Sequence, residues 1–252
     1  MKRIDFENGT VTRNIFSAAI PMLVAQILSL LYNIVDRIYI ARIPEVGTTA
    51  LGAVGLCFPL IVIITAFANL FGSGGAPVFS INRGMKDNQK AQEVMNTSFT
   101  MVCGSGIILM IAGMLFARHL LVLFGASEDA LVYAYPYMMI YLIGTIPSMI
   151  ATGMNPFINA QGYATTGMFS VAIGAVANLI LDPLFIFVLG FGIKGAAIAT
   201  VLSQFLSAAY VLLFLEKRAE MKARLLKKTE LKSCKENAKT LSVLVLQASL
   251  CS

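Results

Sequence analysis

Five stretches of this 252-residue chain, residues 14–35, 46–82, 94–117, 130–181 and 195–215, contain no charged side chain. A helix that crosses a bilayer needs about 20 mostly apolar residues, so each stretch is long enough for at least one crossing. The fourth runs for 52 residues and must hold a helix, a turn and most of a second helix. With 58% hydrophobic and 13% charged residues and a mean hydropathy of +0.79, the chain is excluded from the ordinary soluble classes. Spanning β-strands would alternate in segments of about ten residues, and these blocks are twice as long. The fold class is therefore an all-α membrane protein.

The turn inside the long run falls in GMNPFINAQGYATTG (residues 153–167), where Asn155-Pro156 and Gln161-Gly162 are expected to break the helix. Six spans follow, placed at 14–38, 51–72, 94–117, 132–152, 167–190 and 195–215, with no convincing shorter repeat among them. They form one six-helix unit (14–215), between an N-terminal segment (1–13) and a basic tail (216–252).

Six spans put both ends on one side. That side collects Lys2, Arg3, Arg13, Arg83, Lys86, Lys90, Lys217, Arg218, Lys222, Arg224, Lys227 and Lys228, against Arg42, Arg118 and Lys194 on the other. Twelve against three is the positive-inside asymmetry expected of a protein with both termini in the cytoplasm. The net charge of +6 is thus a topology signal, with no nucleic-acid partner implied. Asp5, Glu7 and the long apolar run behind them argue that span one is retained rather than cleaved as a signal peptide. Cys57 and Cys103 lie in spans, while Cys234 and Cys251 lie in a tail expected to face a reducing compartment, so no disulfide framework is indicated.

A charged residue at the centre of a span costs on the order of 2.5–3.5 kcal/mol, which makes Asp182 and Asp36 functional candidates. Asp182 sits in NLILDPLFIF (residues 178–187), about 22 Å of helical rise past Gly167. Asp36 lies at a similar or shallower depth in span one. Asn178 precedes Asp182 by four residues and Asn33 precedes Asp36 by three, offsets that share a helix face. An amide there can donate to an ionised carboxylate or help ligate a cation, whereas burial favours the protonated acid. Both charge states stay open. The plainer readings are an interfacial Asp36 paired with Arg37 and an Asp182 that serves as a buried hydrogen-bonding group beside Pro183. Pro21, Pro59 and Pro147 suggest bendable helices. Gln26, Asn69 and Gln204 read first as groups that hydrogen-bond between helices. The GSGG of residues 72–75 lacks a P-loop lysine and reads as tight helix packing or a bend. Tyr133, Tyr135, Tyr137, Tyr141 and the thirteen methionines suit an adaptable apolar pocket or, more plainly, packing and an interfacial tyrosine belt.

The string NLILDPLFIFVLGFGIKGAAIATVLSQ (178–204), with IPMLVAQ (20–26) and YNIVDRIYIAR (32–42), resembles the N-terminal lobe of the MATE transporters, the multidrug and toxic compound extrusion family. GLCFPL (55–60), the loop NRGMKDNQKAQEV (82–94) and LFGASEDALVYAYPYM (123–138) add to the likeness. The resemblance implies a twelve-helix transporter of two lobes that exports cationic or amphipathic small-molecule drugs across the lipid bilayer in exchange for H+ or Na+, with no other cofactor. It implies a cation-coupling cluster of Asp36, Asn178, Asp182 and Thr200, with Na+ at Asp182 and Asn178 where that is the coupling ion. Asn33, Gln26 and Gln204 would form a secondary polar part of the cavity, with helix bending at Pro21 and Pro183.

The likeness runs from about residue 14 to 228 and covers one lobe. TLSVLVLQASLCS (240–252) rises only about 20 Å as a helix, too short for a hydrocarbon core of about 30 Å. A frameshift or early stop is the expected explanation, and the product is expected to be inactive alone or to pair with a second lobe or with its own copy. Three other functions compete. A flippase for lipids or lipid-linked oligosaccharides would line its cavity with arginines, and the spans hold only Arg37 at one end. A two-aspartate intramembrane protease would carry a glycine pattern before its second aspartate, and Asp182 is flanked by Leu181 and Pro183 without it. A serine hydrolase has no G-x-S-x-G, and the one histidine, His119, is expected in an outer loop. No enzyme activity is indicated.

Overall fold

The computed structural model describes Ile4 and residues 10–225. Lys2, Arg3, Asp5, Glu7, Lys227, Lys228, Cys234, Cys251 and the 240–252 run lie outside the described residues. Seven helices follow in order: α1 (Val11–Ala41), α2 (Gly47–Gly84), α3 (Asn88–Leu123), α4 (Glu128–Ile143), α5 (Thr145–Ala160), α6 (Ala164–Pro183), prolonged by a π-helical turn at Leu184–Val188, and α7 (Gly192–Lys217). Five are long and apolar enough to span a membrane alone. The sixth span is the pair α4 and α5, bent by 57°.

The helices outrun the charge-free stretches. At 1.5 Å per residue, the 38 residues of α2 reach about 57 Å, so its polar ends project well beyond the apolar slab. Residues 82–94, expected as a loop, are the end of α2 and the start of α3, joined by a tight turn with Lys86 at φ +62°. The Asp87 side chain caps α3 by accepting from the Lys90 amide at 3.0 Å. His119 falls inside the last turns of α3 rather than in a loop, and the chain leaves that helix at Gly125, whose φ of +95° needs glycine.

The fourth span departs most from expectation. Its break comes at Gly144, inside the expected helix, while α5 runs on through Asn155-Pro156 and stops only at Gln161. Pro147 is the third residue of α5, where its missing N–H would have had no helical partner, so the proline is tolerated at the new start. Gly144 has no room for a Cβ, which would strike the Gln204 side chain and lie 2.9 Å from Val201.

Helices α2, α3, α4, α5 and α7 enclose the core, where Phe79 and Phe157 meet edge to face at 5.5 Å and Met95, Met138, Met149 and Met154 are fully buried. Between helices in lipid no hydrophobic drive remains, and close packing of small residues takes its place. At Gly72 of α2 an added Cβ would collide with the Gly153 backbone of α5, and at Gly75 with Ser98 and Phe157. The GSGG stretch is therefore continuous helix at a close crossing, the packing reading rather than the bend. Helix α1 is peripheral. It leans chiefly on α6, Ile40 is its one buried residue, and Ile15, Phe16, Leu23, Ile27, Leu30 and Ile34 are exposed.

After α7 the chain folds back along the end that carries Gly84 and Ala160. Gln161, buried between α5 and α6, accepts from the Met221 amide at 3.0 Å and donates to the Met221 carbonyl at 3.5 Å. Gln92 donates to the Lys222 carbonyl at 2.6 Å, and Arg83 pairs with Glu220 at 2.6 Å. The described basic residues of the terminal set, Arg13, Arg83, Lys86, Lys90, Lys217, Arg218, Lys222 and Arg224, gather at this end. Arg42, Arg118 and Lys194 lie at the opposite helix ends.

Candidate functional site

Asp182 sits one residue before the proline that ends regular α-helix in α6. Pro183 offers no N–H to the Leu179 carbonyl, and the backbone widens so that the Leu189 amide reaches the Leu184 carbonyl at 2.9 Å, five residues back. Gly195 of α7 lets the two backbones touch there, since a Cβ would lie 2.6 Å from the Phe185 carbonyl oxygen. This contact holds the carboxyl-bearing end of α6 against α7.

Asp182 is fully buried and Asn178 nearly so. The Asn178 amide donates to Asp182 Oδ1 at 3.0 Å and lies 3.5 Å from the Thr200 hydroxyl of α7. The Asp36 carboxyl of α1 meets the Asp182 carboxyl side chain to side chain. Asp36 Oδ1, Asp182 Oδ2 and Asn178 Oδ1 are buried, and none accepts a hydrogen bond among the described residues. Two carboxyls within hydrogen-bonding reach of each other repel unless a proton or a cation lies between them. The structure thus brings Asp36, Asn178, Asp182 and Thr200 into one cluster of oxygens with capacity for a small cation or a shared proton.

The cluster borders a cavity of about 1340 Å³ that runs down the lobe between α1, α2 and the α4–α7 wall. Gln26, Asn33 and Gln204 line it. Asn33 does not reach for Asp36, however; its amide donates to the carbonyl of Ser29 in its own helix at 2.7 Å. Gln204 presses its buried carbonyl oxygen against Gly144 at the α4–α5 bend. Asn69 also lines the cavity. Pro21 lies within an α1 that continues through it. Tyr137 and Tyr141, stacked 6.3 Å apart, are buried in the cavity wall rather than at an interface, while Tyr135 is exposed.

A second polar group links α5, α6 and α7. Asn155 donates to the Gly167 carbonyl at 2.9 Å and to the Ser170 hydroxyl at 2.6 Å, Asn159 donates to Asn155 at 3.0 Å, and Ser207 donates to the Ser170 carbonyl at 2.8 Å. Asn155 and Asn159 are one turn apart, and that spacing was the available signal; their nearness to Pro156 instead suggested a turn.

A family model described as MatE matches residues 21–184, nearly the whole stretch that builds this cluster. The chain belongs to the MATE family. Among its relatives, the multidrug export protein MepA of Staphylococcus haemolyticus (strain JCSC1435) is 26% identical over 215 residues, covering 85% of this chain and 47% of MepA. The probable multidrug resistance protein YpnP of Bacillus subtilis (strain 168) is 26% identical over 217 residues, 86% of this chain and 48% of YpnP. The chain spans about half the length of the curated relatives it matches. Among solved structures, a MATE in the bent conformation superposes with a TM-score of 0.81 at 26% identity, over 96% of this chain and 55% of that one. The outward-facing conformation of a multidrug resistance MATE family transporter gives 0.83 at 25% identity, over 97% and 55%. The six-span, all-α membrane lobe is therefore a MATE lobe, and its family is one of transporters rather than enzymes.

Proposed function

We propose that this MATE lobe is the N-terminal half of an antiporter that exports cationic or amphipathic drugs in exchange for H+ or Na+. The observation that carries the reading is the meeting of Asp36 and Asp182 beside Asn178 and Thr200. A carboxyl pair that is stable only with a proton or cation between its members changes its charge when that ion leaves, and intramembrane acids at a broken helix are where secondary transporters place their coupling sites. Loss of the ion sets α1 against α6, because the two acids sit on those helices, and Pro21 and Pro183 are the points at which each helix bends most readily. The multidrug export named for MepA, with the probable multidrug resistance named for YpnP, supports drugs as the cargo. The basic end carrying Gly84 and Ala160 faces the cytoplasm of the plasma membrane in this reading.

A second reading, that the lobe is inactive until joined by a second lobe or its own copy, is favoured by α1. The apolar face of that helix is exposed and the cavity beside it, lined by the exposed Asn33 and Gln26, is open, and polar groups at membrane depth are tolerated only where protein or a water-filled cavity covers them.

The test is ethidium efflux from cells lacking their own pumps, with the chain expressed alone and together with a MATE C-terminal lobe. Export is expected only when two lobes are present. Asp182→Asn is expected to abolish it while membrane insertion stays intact. Efflux unchanged by Asp182→Asn sinks the coupling role, and efflux by the chain as a monomer sinks the two-lobe requirement.

A further inference from the structure

Gly195 stands in the first turn of α7, where its backbone lies against the π-helical turn that follows Asp182. A Cβ there would come within 2.6 Å of the Phe185 carbonyl oxygen, 2.7 Å of its carbonyl carbon and 3.0 Å of the Ile186 nitrogen. All three are backbone atoms, so no side chain can swing aside to make room. The Phe185 carbonyl is itself held, accepting from the Phe191 amide at 3.0 Å, and the connection that brings the chain round has Gly190 at φ +69° and Gly192 at φ +55°. The contact lies about 5 Å of helical rise from Asp182 on α6 and about 8 Å from Thr200 on α7.

The cluster draws its oxygens unequally from three helices. Asp36 Oδ1 of α1, with Asp182 Oδ2 and Asn178 Oδ1 of α6, is buried without a partner among the described residues. Helix α7 adds the Thr200 hydroxyl, 3.5 Å from the Asn178 amide and so already at the long limit of a hydrogen bond. Because α1 leans on α6 and hardly touches α7, moving α7 outward leaves the two acids together and takes only Thr200 away. A hard cation gathers about six oxygens, and it is the occupant that loses a ligand when α7 recedes. A Cβ at Gly195 forces that recession, since the two backbones must part by roughly 0.8 Å to reach ordinary contact.

We propose that Gly195 is a positioning residue for the ion site: its bare backbone holds Thr200 at the distance at which Na+ is bound jointly by α1, α6 and α7. The inference rests on reading the acid cluster as the coupling site. It adds that the cation affinity of the cluster is set from outside it, at a contact between backbones.

The experiment follows the thermal unfolding midpoint of the detergent-purified full chain by circular dichroism, in NaCl against choline chloride at equal ionic strength, with the NaCl concentration varied to obtain an apparent affinity. Na+ is expected to raise the midpoint of the unmodified chain. Gly195→Ala is expected to weaken the apparent Na+ affinity by about 10–100-fold, the loss usual when a residue that orients ion ligands is altered. A merely structural role would lower the midpoint equally in both salts and leave their difference unchanged. Gly174→Ala is the control on the same two helices, because a Cβ there meets Ser207 at 3.4 Å, an ordinary contact; its Na+ response should match the unmodified chain. Thr200→Val, which leaves the backbone contact untouched, should lose Na+ affinity as Gly195→Ala does. An unchanged response in Gly195→Ala, or an equal loss in Gly174→Ala, overturns the proposal. If Gly195→Ala does not fold, a Thr200→Val variant that keeps its Na+ response overturns it. An unmodified chain that does not distinguish Na+ from choline also overturns it, and leaves H+ as the ion of the coupling reading. A response that survives Asp182→Asn places the cation elsewhere and sinks the coupling reading as well.

Discussion

Asn178 and Asn33 have the same side chain, each a turn before an aspartate, yet only the first serves its acid. Asn178 is buried between α6 and α7 and points its amide at Asp182, whereas Asn33 is exposed and bonds to its own backbone. Removing a donor from a buried acceptor costs about 1–3 kcal/mol, while exposed substitutions usually fall within about 0.5 kcal/mol. Asn178→Ala is therefore expected to lower the thermal unfolding midpoint of the detergent-purified chain, and Asn33→Ala to leave it nearly unchanged. Equal shifts would mean that the Asn178–Asp182 bond contributes little. At this scale the sequence was informative about Asp182, Asn178 and Asp36, because ionisable groups in oily runs are costly and therefore conspicuous. It was uninformative about Asn155, Ser170 and Ser207, whose bonds cross between helices that sequence spacing does not relate.

The helices are set less by their apolar residues than by where glycine allows backbones to touch. Gly72 of α2 abuts the backbone of Gly153, and backbone cannot move aside as a side-chain tip can, so Gly72→Ala is expected to destabilise the lobe by about 1–3 kcal/mol. Gly104 of α3 is the internal control: a Cβ there meets nothing within 4 Å. Gly104→Ala should be neutral or slightly stabilising through the better helix propensity of alanine. Thermal unfolding of the two variants side by side checks both signs. The bend at Gly144 shows why the fourth span was misplaced. Asn155-Pro156 is the stronger turn signal in the sequence, yet α5 runs through it, because a proline in the last turns of a packed helix is tolerated where neighbouring helices supply partners. Gly144 looks unremarkable until α7 places Gln204 and Val201 against it.

The described lobe is closed at one end and open along one side. Its closure depends on the segment after α7, pinned by Gln161 through both polar groups of Met221, with Arg83–Glu220 partly exposed and worth about 0–1 kcal/mol. Gln161→Ala should release residues 219–224, seen as faster amide exchange at Met221 and new proteolysis there, with the helices themselves unaffected. Protection unchanged at Met221 would show that Gln92 and Asn96, which accepts from the Arg224 amide at 3.0 Å, hold the strap without it. The open side, where α1 shows its apolar face beside the cavity, is the face that a second lobe would cover in the reading proposed above.

Hydropathy and charge along the chain were sufficient for the all-α class, the six crossings and the sidedness of the basic residues, because a bilayer forbids charge over a fixed length whatever the fold. The motif around LDPLFIF likewise carried the family. The tertiary structure alone decided that Asp36 and Asp182 meet, that Gly195 lies against the Phe185 carbonyl and that the fourth crossing bends at Gly144. Each of these depends on the angle and rotation at which two helices cross, and those are fixed by contacts between residues far apart in the chain, which periodicity along one helix does not encode.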